Sequence, residues 1–281
     1  MKILFFAVFI KSSTNYSQAR ALQDLGHGVF KYDYREAARN IGPDARDRDM
    51  LDTCHKVNPD LVIFSKCNTV SYDVFNEISL SYKTCLWYMD PLSSYVQEIR
   101  NKTQLVDIFV CDKLNVLDEA KRLNANSYQL FEGFDHEVEK IHDISYEYDV
   151  SFIGRVYGNR EEIINQIKHP VEIITGAYDE QHAIEVAKSK INLNFCTDDG
   201  ASDRVYKILA AGGFLISDNW IGNPFTNGKH IVTINSIRSL NEQIEYYLNN
   251  PIHREEIALT GYTEVQKYNR LEWAKGIIKL I

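Results

Sequence analysis

The chain has 281 residues, of which 44% are hydrophobic and 25% charged, and a formal charge of −8 at pH 7. That length exceeds the usual single domain, so two domains of about 140 residues are expected, each with enough apolar material for a core. The acidic balance excludes an indiscriminate polyanion binder, which needs a basic surface, but leaves room for a local basic pocket. The five cysteines are odd in number and scattered without a C-x-x-C pair, which argues against a disulfide framework or a zinc site and for a reducing compartment.

In chain order, "MKILFFAVFI" carries one lysine and then eight apolar residues. No small-residue cleavage site follows, so it reads as a buried first strand rather than a signal peptide. No later apolar run approaches the roughly 18 residues of a membrane span, and a soluble cytoplasmic protein is expected. A helix from about Tyr16 to Leu25, stopped by Gly26, leads to the strand "GVFKYDY". A charged helix near Asp44 to Lys56 follows, then the strand "DLVIFSK", a helix over Tyr72 to Ser81, and the strand "KTCLWYMD". "DIFVCDK" and "NSYQLFEG" complete the first half. The acidic stretch 135–147 has little apolar periodicity and reads as the interdomain linker, giving domains 1–140 and 141–281, with the last helix free to pack back on the first domain.

The second half starts at "YDVSFIG" and continues with the strands "VEIITG", "INLNF", "GFLISD" and "HIVTIN". Helices are expected near Arg160 to Lys168, Gln181 to Lys188, Arg204 to Ala211, Ser239 to Asn249 and Ile252 to Tyr268. Strands alternating with helices predict an α/β protein of two Rossmann-like, doubly wound parallel-sheet domains facing a central cleft at their strand ends.

Several motifs carry little. "GHG" at 26–28 follows a helix, so it is a helix stop and not a dinucleotide loop. "DRD" at 47–49 has the form of a metal-binding Asp-x-Asp but opens a charged surface helix. The eight histidines show no H-x-x-x-H pair, so no metal site is expected.

Three cations remain. Arg155, after Gly154, leaves the end of a parallel strand, where its planar fork suits a phosphate. Arg204 starts a helix whose free N–H groups favour an anion, and Lys207 follows one turn later by i, i+3 spacing. Three cations at one crevice suggest a diphosphate ligand. The alternative is that the arginines pair with Asp149, Asp199 or Asp203 and that Lys207 is a solvated surface residue. The double glycine at 212–213 is expected to let helix and strand pack closely.

"VSFIGRVYGNRE", "SKINLNF", "RVYKILAAGGFLISD", "PFTNGKHIVTI" and "EYYLNNPIHREEIALTGYTEV" together resemble the carboxyl half of the CgeB-type (spore maturation protein B-like) glycosyltransferases of GT-B fold. "KILFFAVFIKSSTNYSQARALQDLGHGVFKYD", "NPDLVIFSK", "CLWYMDP" and "LFEGFD" are compatible with the other half. The resemblance implies metal-independent sugar transfer to an acceptor hydroxyl from a nucleotide-diphosphate sugar, UDP- or GDP-linked. The donor is a co-substrate, and no cofactor is needed. It places Gly154, Arg155, Asn194, Asp199, Arg204, Val205, Lys207 and Gly212 on the donor side and Ser12, Ser13 and Lys66 on the acceptor side. Arg155 and Arg204 would stabilise the leaving diphosphate, and Asp90, at a strand end in "WYMDP", would be the base of an inverting reaction or else a turn cap.

One departure stands out. Many retaining members of the wider group that the chain resembles carry Glu, seven residues, then Glu, the first contacting the sugar and the second the ribose hydroxyls, where this chain has Asp199 and Lys207. An ammonium donates hydrogen bonds and accepts none, so Lys207 would serve the phosphates or lie outside the pocket. Glycans, small molecules and proteins all stay open as acceptors, with nucleic acid disfavoured by charge. An inert nucleotide- or sugar-binding protein on the same scaffold is the alternative. A sugar-phosphate epimerase would need carboxylate and histidine pairs that the sequence does not offer.

Overall fold

The computed structural model describes every residue except Lys11, Ser12, Asp198 and Asp199. It divides into two compact units, Met1–Glu132 with Arg270–Ile281, and Gly133–Asn269. The sequence pattern places the division a little later, at 140.

The first unit begins with β1 (Lys2–Ala7), α1 (Thr14–Asp24), β2 (Gly28–Asp33), α2 (Tyr34–Ile41), α3 (Pro43–Val57) and β3 (Leu61–Ser65). It continues through α4 (Tyr72–Ser81), β4 (Thr84–Tyr88), α5 (Gln97–Thr103), β5 (Ile108–Cys111), α6 (Leu114–Ala120) and β6 (Ser127–Gln129). The strands β1, β3, β4 and β5 are apolar without alternation because both faces are covered, and nearly every residue in them is buried. Side-chain caps set several helix starts: Ser13 accepts from Asn15 N, Asp33 from Arg35 N and Glu36 N, and Ser71 from Val74 N. Among the described residues this sheet has the order β2-β1-β3-β4-β5-β6, and every pairing is parallel. The order reverses between β1 and β3, which makes their C-terminal ends the crevice of a doubly wound sheet.

The second unit contains β7 (Tyr148–Ile153), α7 (Arg160–Asn165), β8 (Glu172–Ile174), α8 (Glu180–Ala187), β9 (Ser189–Asn194) and α9 (Arg204–Ala210). After them come β10 (Leu215–Asp218), β11 (Val232–Ile234), α10 (Ile237–Asn249) and α11 (Pro251–Val265). Its parallel sheet runs β11-β10-β9-β7-β8, and here the order reverses between β7 and β9. The double glycine acts as expected at Gly213, where a methyl group would lie 2.5 Å from Val186 Cγ1.

The last helix, α12 (Arg270–Lys279), belongs to the first unit. Trp273 packs edge-on to Trp87 of β4 with ring centroids 5.6 Å apart. Buried Arg270 donates to Ser17 Oγ and to the Glu132 carbonyl. The sequence pattern extends a final helix to Tyr268, whereas α11 ends at Val265 and α12 is a separate element. Nor does the pattern reveal α2, α5 and α6. These are short helices of seven or eight residues, too short for a 3.6-residue period to declare itself.

Candidate functional site

The crevice of the second unit is built from the ends of β7 and β9. Buried Phe152, near the end of β7, forms its floor. Two guanidiniums lie over that ring, Arg204 at 5.0 Å and Arg160 at 5.7 Å from the centroid, and Tyr157 covers Arg160 at 4.1 Å. Arg204 Nη1 donates to Asn194 Oδ1 at 3.1 Å, and Asn194 Nδ2 donates to Ser217 Oγ at 3.0 Å. Arg160 is almost fully buried and donates to the carbonyls of Arg155 at 3.1 Å and Phe195 at 3.0 Å. Among the described residues neither guanidinium forms a salt bridge to a carboxylate. Burial, and secondly the positive charge of Arg160, lower the pKa of Arg204.

Gly154 makes this arrangement possible. Its φ is 146°, and a methyl group there would sit 2.5 Å from Arg204 Nη2. Only glycine lets the strand end carry the guanidinium so closely.

The structure therefore brings together Gly154, Asn194 and Arg204 of the expected donor residues. It adds Arg160, which the sequence offers only as the opening of a helix. The signal is present in "GRVYGNRE", a second arginine in the same strand-to-helix loop. Arg155 itself has an exposed side chain, and its carbonyl serves as an acceptor for Arg160. Val205 is fully buried and its N–H donates to the Ser202 carbonyl, so it is a core residue rather than a ligand contact.

Lys207 is not joined to these guanidiniums. Its Nζ pairs with Asp203 Oδ2 at 2.7 Å, both side chains being about one-fifth exposed. The i, i+3 spacing does not unite it with Arg204, whose side chain turns back to Gly154 and Asn194. The helix terminus also contributes less than expected. α9 spans only seven residues, and of its first-turn N–H groups that of Val205 already donates to the Ser202 carbonyl. Lys207 instead acts on His182 of α8. Burial first, and then Lys207, push the pKa of His182 down to about 3, and among the described residues its Nδ1 has no hydrogen-bond partner.

Gly212 lies at the opposite end of α9 from Arg204, where a methyl group would be 3.0 Å from Ile141 Cγ1. It lines a separate cavity of about 430 Å³ with Ser189, Phe214 and Arg254. Asp199 and Ser12 lie outside the described residues.

The crevice of the first unit is a cavity of about 280 Å³ lined by Ser13, Asn15, Ser65 and Lys66 among others. Asn15 ties its two sides together: Nδ2 donates to the Val8 carbonyl at 3.0 Å, and Oδ1 accepts from Ser65 Oγ at 2.9 Å. Lys66 Nζ donates to Asp90 Oδ1 at 2.5 Å, with both side chains about one-third exposed. So the residue expected to act as base and one expected on the acceptor side meet at adjacent strand ends.

The "DRD" segment is structural. Asp47 is paired with buried Arg46 and accepts from Ser71 N, while Asp49 accepts from Tyr32 OH. Burial pushes the thiols of Cys54, Cys67 and Cys85 up to about 12, which leaves them inert. Among the described residues no three His, Cys, Asp or Glu side chains form a metal-ligand group, and no helix is long and apolar enough to cross a membrane.

Residues 137–274 match the family model described as glycosyl transferase-like. The chain also aligns along its length with solved structures. HepE from Anabaena, in complex with UDP-glucose, aligns at a TM-score of 0.69 with 10% identity over 100% of both chains. Sucrose-phosphate synthase from Thermosynechococcus elongatus aligns at 0.71 with 10% identity, covering 99% of this chain and 98% of that one. The chain has the GT-B fold and carries a glycosyl transferase-like region over residues 137–274. UDP-GlcNAc 2-epimerase from Neisseria meningitidis aligns at 0.63 with 11% identity over 100% and 99%, which shows that the fold also serves a different reaction. No curated protein sequence matches the chain.

Proposed function

We propose that this chain moves a sugar from a UDP- or GDP-linked donor to an acceptor hydroxyl, without a metal or other cofactor, as a CgeB-type enzyme of the cytoplasm. The observation that carries the reading is the pair of guanidiniums, Arg160 and Arg204, over Phe152, met only by neutral acceptors among the described residues. Two such cations side by side repel, and a diphosphate is the ligand class that relieves both. The HepE structures hold UDP-glucose and UDP, which supports a nucleotide-sugar donor here.

As the bond from the anomeric carbon to the diphosphate oxygen breaks, negative charge grows on the leaving group. Cations already fixed by Asn194, Phe152 and backbone carbonyls stabilise that charge more than they stabilise the ground state. The acceptor belongs to the first unit's crevice, among Ser13, Asn15 and Lys66, where Asp90 takes its proton. Arg155, exposed at the same strand end, supplies a further cation for the diphosphate. Glycans, small molecules and proteins with a free hydroxyl are all suitable acceptors.

Calorimetry with UDP and GDP tests the reading. Arg204→Ala removes a charge-assisted contact and weakens binding by about 1.5 to 3 kcal/mol. Unchanged affinity for both nucleotides would sink the diphosphate assignment. Turnover that vanishes with EDTA and returns with manganese would sink metal independence.

A further inference from the structure

The loop that follows β3 is held in a backbone conformation that ordinary residues avoid. Cys67 N–H donates to the Ser65 carbonyl at 2.7 Å, closing a three-residue turn about Lys66, whose φ is 60°. Turns with a central residue of that hand are rare and strained. Cys67 follows at φ 50°. Neither residue is glycine, and such conformations persist only where the surroundings over-determine them.

Two buried cations do so here. Lys102, in the last turn of α5, is fully buried, and its Nζ donates to the carbonyls of Cys67 at 3.0 Å, Asn68 at 3.3 Å and Val70 at 2.7 Å. All three ammonium protons are spent on one loop. Arg46 Nη2 donates to the remaining carbonyl, Thr69 O, at 2.7 Å. Four consecutive carbonyls are thus tied to two cations. Among the described residues Lys102 has no carboxylate in salt-bridge contact, and it lies 5.6 Å from the centroid of the Phe75 ring. A buried ammonium without an ion-pair partner is a costly way to fill a core, and packing alone would be served by an apolar side chain of the same length. What the arrangement secures is the start of the strained turn, where Lys66 reaches Asp90.

We infer that Lys102 is a positioning residue for sugar transfer, acting through the 66–70 loop to hold Lys66 against Asp90. The inference rests on the reading of Asp90 as the base. It assigns Lys102 no contact with either substrate.

The test is a double-mutant cycle on the full chain. Its readout is nucleoside diphosphate release into water from UDP-glucose, or from whichever UDP- or GDP-sugar the wild-type chain cleaves fastest. Lys66→Met and Lys102→Met are each expected to slow release about tenfold or more while the UDP dissociation constant stays within about twofold. The double variant should be no slower than Lys66→Met alone, because Lys102 acts only through Lys66. Lys102→Gln, which can still donate to the carbonyls, should retain more activity than Lys102→Met. It also carries the cycle if Lys102→Met does not fold. Losses that multiply in the double variant, or a shift in UDP affinity that tracks the loss, show a merely structural lysine and overturn the inference. Failure of both Lys102 variants to fold does the same. No release by the wild-type chain from any nucleotide sugar overturns the parent reading, and this inference with it.

Discussion

At the strand ends of the first unit two cations are paired with carboxylates, Lys66 with Asp90 and Arg46 with Asp47. In the second unit Arg160 and Arg204 sit over one aromatic ring and meet an amide oxygen, a hydroxyl and backbone carbonyls, while the nearby ion pair, Lys207 with Asp203, stands apart from them. Both crevices occupy the same place in a doubly wound sheet. The difference lies in whether charge is neutralised from within. The Lys66–Asp90 pair keeps a carboxylate and an ammonium in fixed relation, which suits proton handling on the proposed reading. A crevice whose guanidiniums meet only neutral acceptors among the described residues suits an anionic ligand on the same reading.

If that division of labour holds, Asp90→Asn should slow turnover by about 100-fold or more while leaving UDP affinity as it was, since the proton acceptor is lost and the diphosphate contacts are not. Steady-state release paired with calorimetry checks it. A parallel loss of UDP affinity would erase the contrast between the two crevices.

A smaller effect is expected from Gly154→Ala. The new methyl displaces the Arg204 guanidinium and is strained at φ 146°, so UDP binding should weaken by about 1 to 3 kcal/mol. Tight UDP binding by a folded Gly154→Ala variant would mean that the Arg204 position is not the one that matters.

His182 reports first on its own burial and then on the charge of Lys207. Its folded pKa, about 3, lies below the ordinary value of 6.5, so the unfolded chain takes up a proton that the folded chain refuses. This contribution is fully present above pH 6.5 and is lost as pH falls towards 3, at about 1.4 kcal/mol per unit of pH. Urea unfolding at pH 7.5 and 5.5 should show the loss, and His182→Leu should reduce it. An equal slope in that variant would assign the acid sensitivity elsewhere.

The smallest effect belongs to Lys207→Ala. Its ammonium is committed to Asp203, so UDP affinity should change by less than about threefold, and the loss of an i, i+4 pair should cost only about 0.3 to 0.5 kcal/mol. A loss as large as that of Arg204→Ala would place Lys207 on the diphosphate after all.

The sequence by itself determined the scaffold. Runs such as "KILFFA" and "DVSFI" have no alternation because both faces of a parallel strand are covered, and that pattern is local. The helix over Tyr72 to Ser81 and the close-packing glycine at 213 were legible from equally local signals. Arg204 and Gly154 could be singled out because each stands at an element end, whereas Asn194 came only through the family resemblance. Tertiary structure alone decided how charges are partnered. Lys207 and Arg204 are three residues apart, yet one turns to Asp203 and the other to the end of β7, because side-chain direction depends on which neighbours the fold supplies. Arg160 was hidden for a similar reason: an arginine at a helix start is ordinarily solvated, and only the ring of Phe152 and the carbonyl of Phe195, 35 positions away along the chain, bury it. The strained turn at Lys66 was equally illegible. A left-handed φ at a lysine has no local sequence signal, and it is fixed by a buried ammonium brought from α5 by the packing of the sheet.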